Sequence, residues 1–215
     1  PDNSGFYINA LLIDQEGNLI WDKYYGSNHI THGNSVMETK DSNILILGVQ
    51  LSGPSDAYLT KTDFDGNVIW ERSYFTETFG EAYSIGETSD NKYYFLFSDT
   101  ENTHLFVTNE DGETLWSQSY PGDFHAVIET LDGGFALVGR IEEFSYDYNV
   151  ILHKVDHIGN SIWTKTFGDE GWDDASSLVQ FSDGSILIAG EYDDPLIIDE
   201  FPYTFLIKTD SNGET

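Results

Sequence analysis

Apolar and polar residues alternate along most of the chain in short runs, and no window of eleven or more residues has a helical period. One stretch of the chain shows this well, with alternating runs near 82–88, 93–98, 105–109 and 114–120. β-Branched and aromatic residues fill such runs, and Asp, Asn, Gly or Ser separates them. The pattern predicts β-strands throughout, joined by short turns.

The predicted strands belong to a repeat that contains two sequence motifs. The first is Asp-x-x-Gly-x-x-x-Trp, with Asn109 in place of the Asp in the third copy, and its Trp residues are spaced by 49, 46 and 47 positions at Trp21, Trp70, Trp116 and Trp163. A fifth copy starts at Asp210 and Gly213. The second motif is a polar turn before an apolar run, as in Asp132-Gly133-Gly134. Such a turn between alternating runs is a strong indication of a β-hairpin. Two hairpins in about 47 residues predict the four-stranded antiparallel blade of an all-β β-propeller.

The repeated residues have structural roles in this interpretation. The Trp lies on the outer strand and packs between adjacent blades, where a Trp side chain buries about 150–250 Å². The Asp of the turn binds its own backbone, and the Gly supplies a positive φ. Because each such Asp belongs to a separate blade, these residues are too far apart to share a metal ion.

The repeats divide the chain into blades. We predict one propeller region over 1–215, with a partial blade at 6–25, whole blades at about 32–74, 80–120 and 124–166, and a partial blade at 174–215. This makes seventeen strands, which fits neither a four-bladed nor a five-bladed ring of four-stranded blades. The count predicts part of a larger propeller. The alternative is a small closed ring in which the N-terminal strands complete the last blade.

The charge of the chain narrows the class of partner. The sequence has 38 acidic and 9 basic residues, for a formal net charge of -29. Nucleic acid and anionic membranes both need clustered Lys and Arg, so the balance argues against them. The 5 Trp, 13 Tyr and 14 Phe are inconsistent with an acidic disordered chain. The sequence has no Cys, and no apolar run approaches the roughly 18 residues of a membrane span, so no membrane insertion is predicted.

The repeat resembles that of a group of extracellular bacterial and archaeal β-propeller proteins. The best match runs from Lys154-Val155-Asp156 to Trp163 and continues through Phe167-Gly168, Asp173-Asp174-Ala175-Ser176-Ser177 and Asp183-Gly184 to Gly190. The resemblance implies a secreted or cell-surface propeller, and many such proteins in Bacteroidota look like cargo of the type IX secretion system. The repeat is also distantly similar to quinoprotein propeller repeats through Gly-x-x-x-Trp, but nothing else indicates a quinone cofactor.

Candidate binding residues lie in the connections that vary between repeats. A rigid scaffold commonly presents its ligand-binding residues on such loops. Three stretches stand out, at 168–174, 191–203 and 142–148. The aromatic residues that we predict to bind a ligand are Trp172, Tyr192, Phe144 and Tyr146. Trp172 is a candidate platform for stacking a sugar ring, and packing against the next blade is the alternative.

The acidic residues of the same stretches form a candidate calcium site. Calcium takes six to eight oxygen ligands, and the candidates are Asp169, Glu170, Asp173, Asp174, Asp193 and Asp194. The spacing is not that of an EF-hand, and a solvated acidic loop is the alternative. His29 and His32 form a His-x-x-His pair without an evident third zinc ligand. No cofactor other than calcium is predicted.

The sequence contains no nucleophile elbow, phosphate-binding loop or catalytic triad spacing, so we name no catalytic residue. We predict a non-enzymatic, secreted or cell-surface binding or adhesion module whose partner is a protein or a glycan. One alternative is a structural component of an extracellular assembly. Another is a polysaccharide-active enzyme, which would need two close carboxylates in a pocket.

Overall fold

The strands predicted from alternation are confirmed in a computed structural model of the chain. The structure describes residues 7–26, 30–51, 55–74, 79–99, 102–144, 147–168, 171–193 and 203–215. These residues form seventeen β-strands, and no helix lies among them. In the same ranges there is accordingly no helix able to cross a membrane. The chain is all-β, as predicted.

The strands pair in chain order into antiparallel sheets. The first sheet contains β1 (Ile8–Ile13) and β2 (Leu19–Tyr25). The second contains β3 (Ile30–Glu38), β4 (Ile44–Leu51), β5 (Ser55–Thr62) and β6 (Val68–Tyr74). The third contains β7 (Gly80–Glu87), β8 (Tyr93–Asp99), β9 (Asn102–Thr108) and β10 (Thr114–Pro121). Each four-stranded sheet is a propeller blade.

The remaining strands form two antiparallel groups. One group contains β11 (Asp123–Glu129), β12 (Phe135–Phe144), β13 (Asp147–Val155) and β14 (Ser161–Phe167). The other contains β15 (Trp172–Gln180), β16 (Ile186–Asp193) and β17 (Tyr203–Thr209). A single parallel pairing of Tyr148 with Trp172 joins β13 to β15. This pairing brings the candidate Trp172 beside the neighbouring blade.

The chain divides into two compact units, which we describe separately. One unit comprises Pro1–Thr100 and Val107–Leu115, and its buried residues include Ile8, Tyr25, Ile46 and Tyr58. The other comprises Glu101–Phe106 and Trp116–Thr215. Its core includes a cluster of residues from β12, β13, β15 and β16, namely Ala136, Val138, Val150, Leu152, Ala175, Leu178, Ile186 and Ile188. The intervening residues at the centre of β12 and β13 are buried as well, so both faces of these two strands are packed.

Several strands extend beyond the apolar runs that predicted them. The third strand of the 80–120 blade begins at Asn102, although its apolar run begins near 105. The hydroxyl of Thr103 donates to the Gly122 carbonyl and accepts from the Phe124 N–H, so this polar residue is buried without an unpaired group. β12 likewise continues past Gly139 to Phe144 by pairing with β13. Polar residues at strand ends therefore belong to the sheets.

The repeated Trp packs between adjacent blades, as predicted, and it contacts the Gly turn of the next blade, which at Gly112 begins with Asn109 in place of Asp. The Trp70 indole N–H donates to the Glu110 carbonyl at 3.1 Å, and the Tyr74 hydroxyl donates to the Gly112 carbonyl at 2.7 Å. Gly112 has a φ of 75°, and a methyl group added there would lie 2.9 Å from the Trp70 ring. Gly is therefore needed both for the left-handed backbone and for the space that the indole occupies.

The same arrangement recurs elsewhere in each unit. Trp21 donates to the Phe64 carbonyl at 3.1 Å, and Tyr25 donates to the Gly66 carbonyl at 3.0 Å. Tyr120 donates to the Gly159 carbonyl at 2.7 Å. We call each set of an outer-strand Trp and Tyr with the Gly turn that it contacts a turn lock.

Candidate functional site

A cluster of charged and aromatic side chains lies where β11, β12, β13 and β15 meet. Antiparallel pairing places Asp123 of β11 opposite Arg140 of β12. Parallel pairing places Tyr148 of β13 opposite Trp172 of β15. Side chains two positions apart in a strand share a face, so Asp174 lies on the same face as Trp172. We call the set Asp123, His125, Arg140, Tyr148, Trp172 and Asp174 the Arg140 cluster.

Two cations and two carboxylates alternate at the base of the Arg140 cluster. Nη2 of Arg140 lies 3.0 Å from Oδ2 of Asp123, and Nη1 lies 3.2 Å from Oδ2 of Asp174. Nε2 of His125 lies 3.1 Å from Oδ2 of Asp123, and Nδ1 lies 3.0 Å from Oδ1 of Asp174. All four side chains are largely buried. Each charge therefore has two partners of opposite sign.

His125 is held as a cation in this network. Burial alone would lower the pKa of His125, but its contacts with Asp123 and Asp174 outweigh burial and raise the pKa to about 9. Each ring nitrogen lies within about 3 Å of a carboxylate oxygen. Neither nitrogen is free to accept a proton from a substrate, so His125 is poorly suited to act as a general base.

The Arg140 guanidinium also supports two aromatic rings. It lies 4.7 Å from the centroid of the Trp172 ring and 5.4 Å from the centroid of the Tyr148 ring. The two rings are 4.8 Å apart and tilted by 40°. Cation–π and ring contacts therefore hold the indole from one side. Trp172 is nevertheless 42% exposed, so the other part of its surface faces solvent.

Of the other predicted aromatic residues, the structure describes Phe144 and Tyr192, and neither is a member of the Arg140 cluster. Phe144 ends β12 and is 73% exposed. Tyr192 stacks on Tyr203, its cross-strand partner in β17, at 5.3 Å between ring centroids. Tyr146 lies outside the described residues.

The predicted calcium ligands that the structure describes are divided between two faces of the sheet. Asp174 belongs to the Arg140 cluster, whereas Asp173 lies on the opposite face of β15, because successive side chains of a strand alternate. Asp193 ends β16 and is exposed. Asp169, Glu170 and Asp194 lie outside the described residues. Within the described ranges, no group of three or more His, Asp or Glu residues is placed to hold a metal ion.

His32 also has a different partner from the one considered in the sequence. Its Nε2 lies 2.6 Å from Oε2 of Glu81, and both side chains are about half exposed. His29 lies outside the described residues.

The stretches predicted as variable loops are largely strand where the structure describes them. Residues 142–144 end β12, 147–148 begin β13, 172–174 begin β15, and 191–193 end β16. The loop bounds were too wide, because these polar residues continue the backbone ladder beyond the apolar runs. The candidate residues are therefore fixed by strand pairing.

The sequence analysis missed Asp123, His125 and Arg140 as members of a site. They lie in ordinary strand positions, and only the pairing of strands brings them together. One signal was present in the repeat. Arg140 follows the Gly or Ser that ends the apolar run, and the corresponding residues of the other blades are Val49, Asp99 and Glu191. A cation at this position in one blade alone marks a departure from the repeat.

Comparison with known proteins supports the fold. No protein-family model matches the chain, and no curated protein sequence matches it. A solved structure of a protein of unknown function from Bacteroides caccae is 13% identical, with a TM-score of 0.58 over 97% of this chain and 71% of that one. A mutant NanB sialidase from Streptococcus pneumoniae is 12% identical, with a TM-score of 0.57 over 94% of this chain.

The chain spans only 35% of the sialidase's length. Virginiamycin B lyase from Staphylococcus aureus is 8% identical, with a TM-score of 0.50 over 95% of this chain and 70% of that one. The sialidase and the lyase are β-propeller-like proteins, and at these identities the similarity shows the fold and nothing about activity. The chain has the β-propeller fold.

Proposed function

We propose that this chain is a non-enzymatic binding or adhesion module of a secreted or cell-surface protein, and that its ligand contacts the exposed face of Trp172. The observation that carries the proposal is the support of a half-exposed indole by Arg140 and Tyr148. Trp, Tyr and Arg are the residue types that contribute most to binding at protein surfaces.

The ion network makes this surface rigid before any ligand arrives. Arg140 is fixed by Asp123 and Asp174, and His125 bridges the same two carboxylates. A ligand that meets an ordered ring does not have to offset the entropy of ordering it. The network therefore supports a role for Trp172 in recognition, because an exposed indole without a ligand needs no such support.

The same geometry does not favour the polysaccharide-active enzyme. Such an enzyme uses a pair of carboxylates directed at the scissile bond. In the Arg140 cluster, the carboxylates of Asp123 and Asp174 are directed at Arg140 and His125. The arrangement positions an aromatic ring and offers no carboxylate pair for chemistry.

The partner is a glycan or a protein presented outside the cell. An indole face packs well against the apolar face of a sugar ring or against an apolar side chain. The net charge of -29 disfavours polyanionic partners such as nucleic acid. The repeat motif supports export, and we propose the type IX secretion system as the route on the resemblance of the repeat alone.

The test compares two aromatic residues of equal exposure. Phe181 follows β15, is also 42% exposed, and carries the Lys208 ammonium 5.3 Å from its ring centroid. Wild-type protein, Trp172→Ala and Phe181→Ala are applied to a glycan array and to a panel of extracellular proteins. We expect Trp172→Ala to weaken binding at least ten-fold and Phe181→Ala to leave it unchanged, with both variants still folded. Equal binding by the wild type and Trp172→Ala would contradict the proposal.

A further inference from the structure

The turn between β1 and β2 has the backbone of a turn lock but no indole against it among the described residues. The Gly17 N–H donates to the Asp14 carbonyl at 3.1 Å, and Gly17 has a φ of 85°. A methyl group added to Gly17 would meet no described residue within 4 Å. Methyl groups added to the corresponding Gly residues would lie 2.8–3.2 Å from a Trp ring, at Gly66, Gly112, Gly159 and Gly213. The space beside Gly17 is therefore the one that an indole takes in the other repeats.

The sheet face beside this turn is apolar and exposed. Ile13 directly precedes the turn and is 58% exposed, whereas the residues at this position in the other repeats are at most 2% exposed. Those residues are Thr62, Thr108, Val155 and Thr209. Leu11 is 59% exposed, and its counterparts Thr60 and His153 are buried. A preceding blade covers this position in the other repeats, and no described residue covers it here.

Two side chains of β2 enlarge the same face. Antiparallel pairing places Leu11 opposite Asp22, and alternate residues of β2 share the face of Asp22. Ile20 and Tyr24 therefore lie beside Leu11 and Ile13, and both are exposed. A contiguous apolar surface of this kind marks an interaction site. We call Leu11, Ile13, Ile20 and Tyr24, together with the turn at Gly17, the open face.

The turn locks show which chemistry fits the open face. In each lock the partner is an outer strand with Trp followed four positions on by Tyr or Phe. The Trp21 N–H donates to the Phe64 carbonyl, and the Tyr25 hydroxyl donates to the Gly66 carbonyl. The corresponding acceptors of the open face are the carbonyls of Gln15 and Gly17. A strand with the same two aromatic residues therefore fits it.

A second copy of this chain has no such strand to offer. Each Trp of the motif contacts the Gly turn of the next repeat in the same chain, at Trp21, Trp70, Trp116 and Trp163. The fifth Trp, Trp172, is followed four positions on by Ser176. The matching strand therefore belongs to another blade.

We propose that the open face docks the outer strand of a further blade of the same propeller, a strand that carries Trp with Tyr or Phe four positions on. The indole lies beside Gly17, and the blade covers Leu11 and Ile13. The turn locks join successive blades of one propeller, and the open face continues that series. The inference does not rest on the proposed function of Trp172, which belongs to another blade.

Thiol labelling tests the open face, because the chain has no Cys and one introduced thiol reports on one position. Leu11→Cys places the thiol in the open face, and Leu131→Cys places it at an exposed leucine elsewhere. The probe is the hairpin of residues 102–121, whose outer strand carries Trp116 and Tyr120. It is added as a free peptide or joined to Pro1 by a flexible linker, which raises its effective concentration to about the millimolar range.

We expect the tethered hairpin to slow labelling of Leu11→Cys about ten-fold and to leave Leu131→Cys unchanged. The same hairpin with Trp116→Ala should give no protection. Gly17→Ala in the Leu11→Cys protein should also remove it, because the methyl group takes the place of the indole. Gly133→Ala is the matched control, since Gly133 has a φ of 78° and nothing within 4 Å of an added methyl group.

Equal labelling of Leu11→Cys with and without the tethered hairpin would overturn the proposal. Equal protection by the Trp116→Ala hairpin would also do so, because it would show non-specific apolar contact. Protection by the free peptide at micromolar concentration would assign the open face to a separate partner chain in place of a blade of the same propeller. Ligand binding at Trp172 enters none of these measurements, so the two proposals fail independently.

Discussion

Trp70 and Trp172 are the same residue type in two different settings. Both lie beside an arginine, with the Arg72 guanidinium 5.8 Å from the Trp70 ring and the Arg140 guanidinium 4.7 Å from the Trp172 ring. Trp70 is 9% exposed and donates its N–H to the Glu110 carbonyl of the next blade. Trp172 is 42% exposed and is held by a network of side chains.

The two settings differ in that the contacts of Trp70 recur in other blades, whereas those of Trp172 do not. The turn lock of Trp70 has counterparts at Trp21 and Tyr120, so it stabilises the contact between successive blades. Repeat proteins gain their stability from such neighbouring interfaces. The Arg140 cluster rests on an arginine that the equivalent positions of the other blades lack. The repeat does not require a feature that occurs in one blade alone. The Arg140 cluster is therefore a better candidate for a binding function than the turn locks are.

Removing Trp70 is the strongest way to separate the two roles. Trp70→Ala deletes a buried side chain and its hydrogen bond, so we expect the free energy of unfolding to fall by about 3–5 kcal/mol. Trp172→Ala deletes a half-exposed side chain, so we expect a loss well below that of Trp70→Ala. Urea unfolding of both variants measures the two values.

Equal destabilisation by the two substitutions would contradict the distinction between Trp70 and Trp172. It would show that Trp172 is a packing residue like Trp70 and would remove the main support for a binding surface. A large effect of Trp70→Ala with ligand binding retained would sharpen the comparison, because stability and recognition would then be carried by different Trp residues.

The turn locks were predictable from the sequence because each part of them repeats. Asp-x-x-Gly-x-x-x-Trp recurs at a nearly constant spacing, and local chemistry explains the Asp and the Gly of each turn. The prediction that Trp packs between blades is confirmed by the contacts of Trp70 with Glu110 and Gly112. Periodicity, turn chemistry and burial agree there, and such agreement makes a prediction secure.

The Arg140 cluster was predictable only in part. The exposed Trp172 and the acidic Asp174 stand out in the sequence, whereas Asp123, His125 and Arg140 have no local pattern. Their meeting depends on antiparallel pairing within one blade and on a single parallel pair between β13 and β15. Such long-range pairing is set by the tertiary structure, and a sequence motif does not report it.

Substitution of Gly112, the Gly of the Trp70 turn lock, tests a single contact and should lower stability less than Trp70→Ala does. Gly112→Ala places a methyl group against Trp70, at a φ of 75°. Gly17→Ala is the matched control, because Gly17 occupies the same motif with a φ of 85° and has nothing within 4 Å of an added methyl group. The left-handed backbone costs about 1–2 kcal/mol in both variants. We expect Gly112→Ala to cost roughly 1–3 kcal/mol more, as overpacking does.

Thermal unfolding of the two Gly variants measures this difference. If Gly112→Ala and Gly17→Ala lower the melting temperature equally, then only the backbone conformation requires Gly, and the indole does not fill the space beside the turn. The double variant Gly112→Ala with Trp70→Ala should recover part of the loss, because the methyl group then has room.

The pH dependence of stability tests the Arg140 cluster without touching the turn locks. The pKa of His125 is raised to about 9 from the ordinary 6.5, so the folded state binds this proton more tightly than the unfolded state does. The resulting stabilisation is complete below pH 6.5 and is lost as the pH rises through 9. Each pKa unit corresponds to about 1.4 kcal/mol, so we expect the free energy of unfolding to fall by at most about 3.5 kcal/mol across this window.

His125→Gln should abolish that slope, because glutamine does not titrate, while His157→Gln, at an exposed turn residue, should leave it as in the wild type. Trp70→Ala should lower stability by a similar amount at every pH and keep the slope. A wild-type profile that is flat between pH 6.5 and 9 would mean that His125 is not the cation that joins Asp123 to Asp174. Arg140 alone would then hold the two carboxylates, and the rigidity that we assign to the Trp172 surface would have to come from the contact between the Tyr148 and Trp172 rings.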